Sequence, residues 1–239
     1  FRVEGGPFDE AEVVLGDDGS VSFGGHVSLR RLDREAAPAP GAGLESPMAE
    51  TDPEEDEAFE HVWNFMAHPS HADEVDLGGL SMVRFLSWLT GRKLAVFHGT
   101  NRIDGDRLEP AEWPHVNVGS VPTDRYVYGG SDAFCSMFFA LMDEAAARTG
   151  SHGVDLFHNG QGTTVRLYQF ALASDALARR PFTAGALYLL PRETFSPVRL
   201  YPGGPPTAEW FCPEPVRPLA RLIVTPDDFP FLDRIGSAA

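Results

Sequence analysis

Eight residues, Lys93-Leu94-Ala95-Val96-Phe97-His98-Gly99-Thr100, constrain this chain more than any other stretch. Leu, Val and Phe in a short run, bounded by Gly91 and Gly99, read as a buried strand over 94–98. The run ends in His-Gly-Thr. A histidine at the end of such a strand is held by a rigid element. The glycine after it lets another molecule approach the backbone. A structural histidine would look the same alone, so the meaning of the stretch depends on what the rest of the chain supplies.

Upstream, residues 11–30 alternate loosely and break at Gly16-Asp17-Asp18-Gly19, which predicts a hairpin of Glu12–Leu15 against Val21–Phe23. Residues 34–57 shift to Ala, Pro and Gly and then to the acidic run Glu50–Glu57. They read as a mobile or surface-wrapping linker whose charges form a solvated face. The division expected is therefore 1–57 as hairpin plus linker and 58–239 as the main domain. Thr51 or Asp52 can cap a helix with Pro53 in its first turn. Phe59, Val62, Trp63 and Met66 form its apolar face and Pro69 ends it. Leu80, Val83, Phe85, Leu86 and Trp88 mark a second helix, stopped by Gly91.

Downstream, 101–125 reads as a surface loop that could cover a site. Tyr126-Val127-Tyr128-Gly129-Gly130 predicts a short strand at 126–129. Ser131 is the expected N-cap of a helix that carries Phe134, Phe138, Leu141, Met142 and Ala145 on one face and ends at Gly150. Residues 151–162 read as loop. Further strands are expected at 164–172, 186–190, 208–212 and 219–225, with a tight Pro/Gly loop at 202–206. Many short strands with few helices between them make an α+β fold, largely antiparallel.

The 239 residues can bury a sizeable core, and 43% hydrophobic with 23% charged residues is ordinary for a globular protein. No apolar run approaches the roughly 18 residues of a membrane span, so no membrane is expected. The net charge of -16 disfavours a broad grip on phosphate backbones. Cys135 and Cys212 are expected as two small buried hydrophobes rather than a disulfide, and no Cys/His spacing suggests a metal. The chain starts at Phe1 without a leader, so it is expected to be a processed product or a piece of something longer.

Three features stand at strand edges: His98-Gly99-Thr100, Tyr128 followed by Gly-Gly-Ser-Asp and a helix, and Glu209-Trp210-Phe211 after a Pro/Gly loop. In these the chain resembles the ADP-ribosyltransferase superfamily, in the His-Tyr-Glu branch typified by diphtheria toxin and the poly(ADP-ribose) polymerases. The resemblance covers roughly residues 92–232. It implies split antiparallel sheets around an NAD cleft, with NAD as substrate. It implies that Glu209, His98 and Tyr128 are catalytic and converge on one face of that cleft, and side chains on opposite faces would count against the resemblance. NAD contacts would come from His98, Gly99, Thr100, Tyr128, Ser131, Phe138 and Phe139.

The residue types suit the chemistry. Cleaving the nicotinamide–ribose bond develops positive charge on the ribose, as glycoside hydrolysis does. A fixed carboxylate, Glu209 by resemblance, stabilises that charge. Nicotinamide would stack on Tyr128, with Phe138 or Phe139 as second wall where the family usually has a tyrosine. His98 would bond the adenosine ribose, the Gly99 backbone the nicotinamide amide, and Ser131 the amide or ribose. Tyr126 shares a strand face with Tyr128, so either could be the functional ring; the glycines that follow favour Tyr128. Glu193 competes with Glu209 but sits in a polar turn. His115, His152 and His158 are expected to be solvated.

Thr207, two residues before Glu209, departs from the Glu/Gln-x-Glu pattern of arginine-modifying members. The expected activity is an NAD-dependent mono-ADP-ribosyltransferase acting on a macromolecule, protein rather than nucleic acid given the charge. A toxin domain of a secreted or delivered effector, with an immunity protein as partner, is the setting this implies. The alternatives are an NAD glycohydrolase on the same scaffold, an RNA 2′-phosphotransferase-like enzyme, and a non-catalytic binding module. The first cannot be separated by sequence. The second lacks a phosphate-binding Arg/His set. The third has no reason to keep His98, Tyr128 and Glu209 together.

Overall fold

The computed structural model describes residues 52–68, 75, 77–103, 105–112, 125–147, 150–158, 164–199 and 206–238, with four short strands before them. These four are β1 (Val13–Leu15), β2 (Ser20–Phe23), β3 (Val27–Arg30) and β4 (Leu44–Glu45). The expected hairpin forms, with Val14 opposite Ser22, and β3 extends it to three antiparallel strands.

Two helices follow. α1 (Pro53–Met66) is capped by Asp52, whose side chain accepts from the Glu55 amide at 2.8 Å. Phe59 and Met66 are buried and Val62 and Trp63 pack beside them, so the predicted face is the real one. The helix ends before Pro69, which lies outside the described residues. α2 (Met82–Arg92) starts at Ser81 and runs through Gly91. It ends at Lys93, whose φ of 55° is left-handed, so the stop comes two residues later than the glycine predicts. The linker reading of 34–57 is corrected twice. Leu44–Glu45 pairs with a later strand, and 53–57 is the first part of α1. Nor are its charges all solvated: Glu55 accepts from Arg84 Nε and Nη2, and Asp56 accepts from Trp88 at 2.5 Å and Arg92 at 2.6 Å. An acidic turn beside a basic helix face is held by charge-assisted bonds rather than left to water.

The main sheet is built from β5 (Ala95–Thr100), β6 (Val127–Gly130), β9 (Gly185–Pro191), β10 (Ser196–Arg199), β11 (Pro206–Cys212) and β12 (Ala220–Val224). Their order is β10-β11-β6-β5-β9-β12, all antiparallel. A second sheet joins β7 (Ser151–His158), β8 (Thr164–Ala173), β4 and β13 (Gly236–Ala238). All six expected strands exist, and the class is α+β as expected. Strand β7 corrects the loop assigned to 151–162, and β10 and β13 were not foreseen. The loop at 202–206 falls outside the described residues except for Pro206, which opens β11.

α3 (Ala133–Ala140) lies between the sheets. Its core residues Phe134, Met137 and Phe138 meet Tyr168 and Phe170 of β8 and Leu187 and Leu189 of β9 in one apolar cluster. It is shorter than predicted: a second turn, α4 (Glu144–Ala147), is separate, and α5 (Ser174–Ala178) follows β8. The opposite face of the main sheet carries a smaller cluster with Val96, Val127, Tyr188, Phe195 and Val216. Cys135 and Cys212 are both free and buried, one in each cluster, as expected. No helix of the described residues is long and apolar enough to cross a membrane.

Candidate active site

The sheet order sets β11, β6 and β5 side by side, so the three strands that carry Glu209, Tyr128 and His98 are neighbours. Glu209 stands opposite Gly130, Phe211 opposite Tyr128, and Phe97 opposite Gly130. Antiparallel partners share a face and successive residues alternate. Glu209 and Tyr128 therefore project from the face that α3 covers. His98 pairs with Tyr188 and projects from the other face, with the two rings 6.4 Å apart. The expectation of three side chains converging on one face is thus corrected: two converge and the third comes from behind.

The histidine is still joined to the tyrosine. β5 pairs with β6 through Phe97 and Gly130 alone, whereas it pairs with β9 over all six of its residues. Beyond Phe97 no further ladder pair joins the two strands. His98 Nδ1 lies 2.7 Å from the Tyr128 carbonyl oxygen. A carbonyl accepts only, so Nδ1 carries the proton and Nε2 is left as an acceptor. Burial pushes the imidazole below its ordinary range, against the opposing effect of the bond to Tyr128.

Glu209 is half-buried. Its amide donates to Thr207 Oγ1 at 3.1 Å. Among the described residues nothing donates to its carboxylate and no cation pairs with it. Burial alone pushes its carboxyl up. Tyr128 is also half-buried, and its phenol is raised by burial first, then by Tyr126 and by the negative charge of Glu209. Tyr126 is buried edge-on against Phe211 at 5.1 Å, which makes Tyr128 the available ring of the pair. Glu193 lies exposed in a single 3-10 turn and belongs to no such arrangement.

The remaining candidates fall differently. Gly99 needs no ligand to explain it: a Cβ there would lie 1.7 Å from the Ser136 carbonyl oxygen, because α3 rests on the strand backbone. Thr100, half-buried at the end of β5, accepts from the Arg102 amide at 3.1 Å. Ser131 is not the helix cap. Its amide and hydroxyl both donate to the Ala208 carbonyl of β11, at 2.7 and 3.2 Å. Asp132 is the cap, because its carboxylate reaches two amides at once. Phe138 cannot be a site wall, being fully buried against Phe170 and Phe229. Phe139 is half-buried, 4.9 Å from the His152 ring. His152 is therefore no solvated loop residue: it stands on β7, and burial lowers it to about 4. His115 lies outside the described residues, and of His158 only the backbone on β7 is described.

Two residues at this place were missed by the sequence reading. Ser136, 6% exposed, donates its hydroxyl to the Phe97 carbonyl at 3.0 Å, at the point where β5 and β6 stop pairing. Asp132 is 3% exposed. A capping carboxylate was legible from its place before an apolar helix; its burial was not. Among the described residues no cluster of His, Cys, Asp and Glu could hold a metal. Comparison of the chain with family models, with curated proteins and with solved structures finds no match.

Proposed function

We propose that this chain is an NAD-dependent mono-ADP-ribosyltransferase, which cleaves the nicotinamide–ribose bond and transfers ADP-ribose to a macromolecular acceptor. One observation carries the reading: a half-buried carboxylate without a counter-ion among the described residues, Glu209, beside the half-buried ring of Tyr128 on central strands. An uncompensated carboxylate costs stability and is expected where a cation must be met. The substrate lies where β5 and β6 stop pairing. There it meets Tyr128 and Glu209 from one face of the sheet and His98 Nε2 from the other.

In the reaction the bond from ribose C1′ to the nicotinamide nitrogen breaks, and its electron pair leaves with nicotinamide. Glu209 holds its negative charge against the positive charge that grows on the ribose. The Tyr128 ring orients the leaving group by stacking. His98 accepts a hydrogen bond from a ribose hydroxyl at Nε2, since Nδ1–H is committed to the Tyr128 carbonyl. The acceptor then bonds C1′ and releases a proton. The net charge of -16 favours a basic protein as acceptor over nucleic acid.

The test is incubation with NAD labelled in its adenine half, in whole lysate, with free nicotinamide measured in parallel. The expected outcome is label in the protein fraction. Nicotinamide release with no labelled macromolecule selects the glycohydrolase instead. No release overturns both.

A further inference from the structure

α3 touches β5 with its backbone where the pairing with β6 stops. The Ser136 carbonyl sits where a Cβ of Gly99 would be, the Ala140 carbonyl lies 1.9 Å from where a Cβ of Gly185 would be, and the Ser136 hydroxyl binds the Phe97 carbonyl. Such an interface has no flexible side chain to absorb a shift. Whatever fixes the start of α3 therefore fixes residues 97–99. That group is Asp132. One carboxylate oxygen accepts from the amides of Phe134 and Cys135 at 3.0 and 3.2 Å. The other accepts from the Tyr168 hydroxyl of β8 at 2.7 Å and lies 3.9 Å from Arg166 Nε. The carboxylate thus ties the helix that lies on the main sheet to the second sheet, one helical turn before Ser136.

We propose that Asp132 is a positioning residue for the reaction: anchored by Tyr168, it sets α3 against β5 and so fixes the point where β5 and β6 stop pairing and the substrate enters. This rests on the functional reading above. A capping carboxylate of merely local value would need only the two amides. The buried bond to the other sheet is what gives it a fixed place.

Three variants test it. Asp132→Ala removes both attachments. Asp132→Asn keeps an amide oxygen for the cap and an NH2 that donates to the Tyr168 oxygen. Tyr168→Phe keeps the cap and the ring and removes only the bond between sheets. Nicotinamide release is measured well below each thermal midpoint, where KM does not depend on the folded fraction. Asp132→Ala is expected to raise the KM for NAD about tenfold or more, Tyr168→Phe severalfold, and Asp132→Asn within about twofold of the wild type. Unchanged KM in Tyr168→Phe and Asp132→Ala overturns the inference, whatever their stabilities. If Asp132→Ala does not fold, Tyr168→Phe decides. If the wild type releases no nicotinamide, the functional reading falls by itself. Amide exchange at residues 97–100, with the His98 ring signals, then decides the positioning role. Exchange about tenfold faster in Tyr168→Phe supports it and unchanged exchange overturns it.

Discussion

The imidazole of His98 takes the place of a backbone amide opposite the Tyr128 carbonyl, 2.7 Å away, at the point where β5 and β6 stop pairing. The bond fixes the Nδ1–H tautomer and leaves Nε2 as an acceptor. NMR of the ring nitrogens should find His98 neutral and Nδ1-protonated at pH 6.5, since burial lowers its affinity for a second proton. A charged ring at that pH would contradict the geometry. His98→Ala should raise the KM for NAD, because it removes a ground-state contact.

Glu209→Gln keeps size and removes charge. Turnover should fall about a hundredfold or more, the scale of losing one preorganised electrostatic group, with KM nearly unchanged. Glu193→Gln, in an exposed turn, should do little. A loss of nicotinamide release at Glu193 and not at Glu209 would place the site on the wrong strand.

The same substitution should raise stability. The folded carboxyl of Glu209 is raised, so the folded state holds its proton at a pH where the unfolded chain has lost it. Stability then falls as pH rises through that window, starting near the unfolded carboxyl's pKa of about 4.3. Glu209→Gln should melt above the wild type at neutral pH, and the difference should vanish on acidification below that value. Equal melting at pH 7 would mean that the charge is well solvated. Activity that needs the ionised form should have its acid limb above the ordinary carboxylate range.

Gly99→Ala should destabilise by about 3 kcal/mol, because the added carbon would overlap a backbone carbonyl that cannot rotate away. Gly153→Ala is the contrast: among the described residues nothing lies within 4 Å of its Cβ position, and denaturant midpoints should barely move.

His152 binds its proton near pH 4 when folded and near 6.5 when unfolded. A lowered histidine makes stability fall as pH drops from 6.5 towards 4, by at most roughly 3 kcal/mol. His152→Leu should flatten that part of the pH–stability curve. An unaltered slope would show that the ring is solvated when folded.

Local pattern was enough for the elements whose buried face is written in one segment. Phe59, Val62, Trp63 and Met66 repeat at helical spacing, and the runs at 94–98 and 186–190 are apolar whichever strands flank them. Strand β7 was legible too, since His152, Val154 and Leu156 alternate with Ser151, Gly153 and Asp155, but its glycine and histidines resemble loop composition.

What the sequence by itself determined was that a His, a Tyr and a Glu each stand on a short strand of an α+β chain. Which face each side chain takes was decided only in three dimensions. Register across β11, β6 and β5 is a property of three distant segments, and one residue of shift would have moved His98 to the side of Glu209. The same holds for Gly99, whose missing side chain reads as room for a ligand until α3 is seen resting on it. It holds too for Asp132, a cap by its position and an anchor only because folding brings Tyr168, 36 residues away, within 2.7 Å.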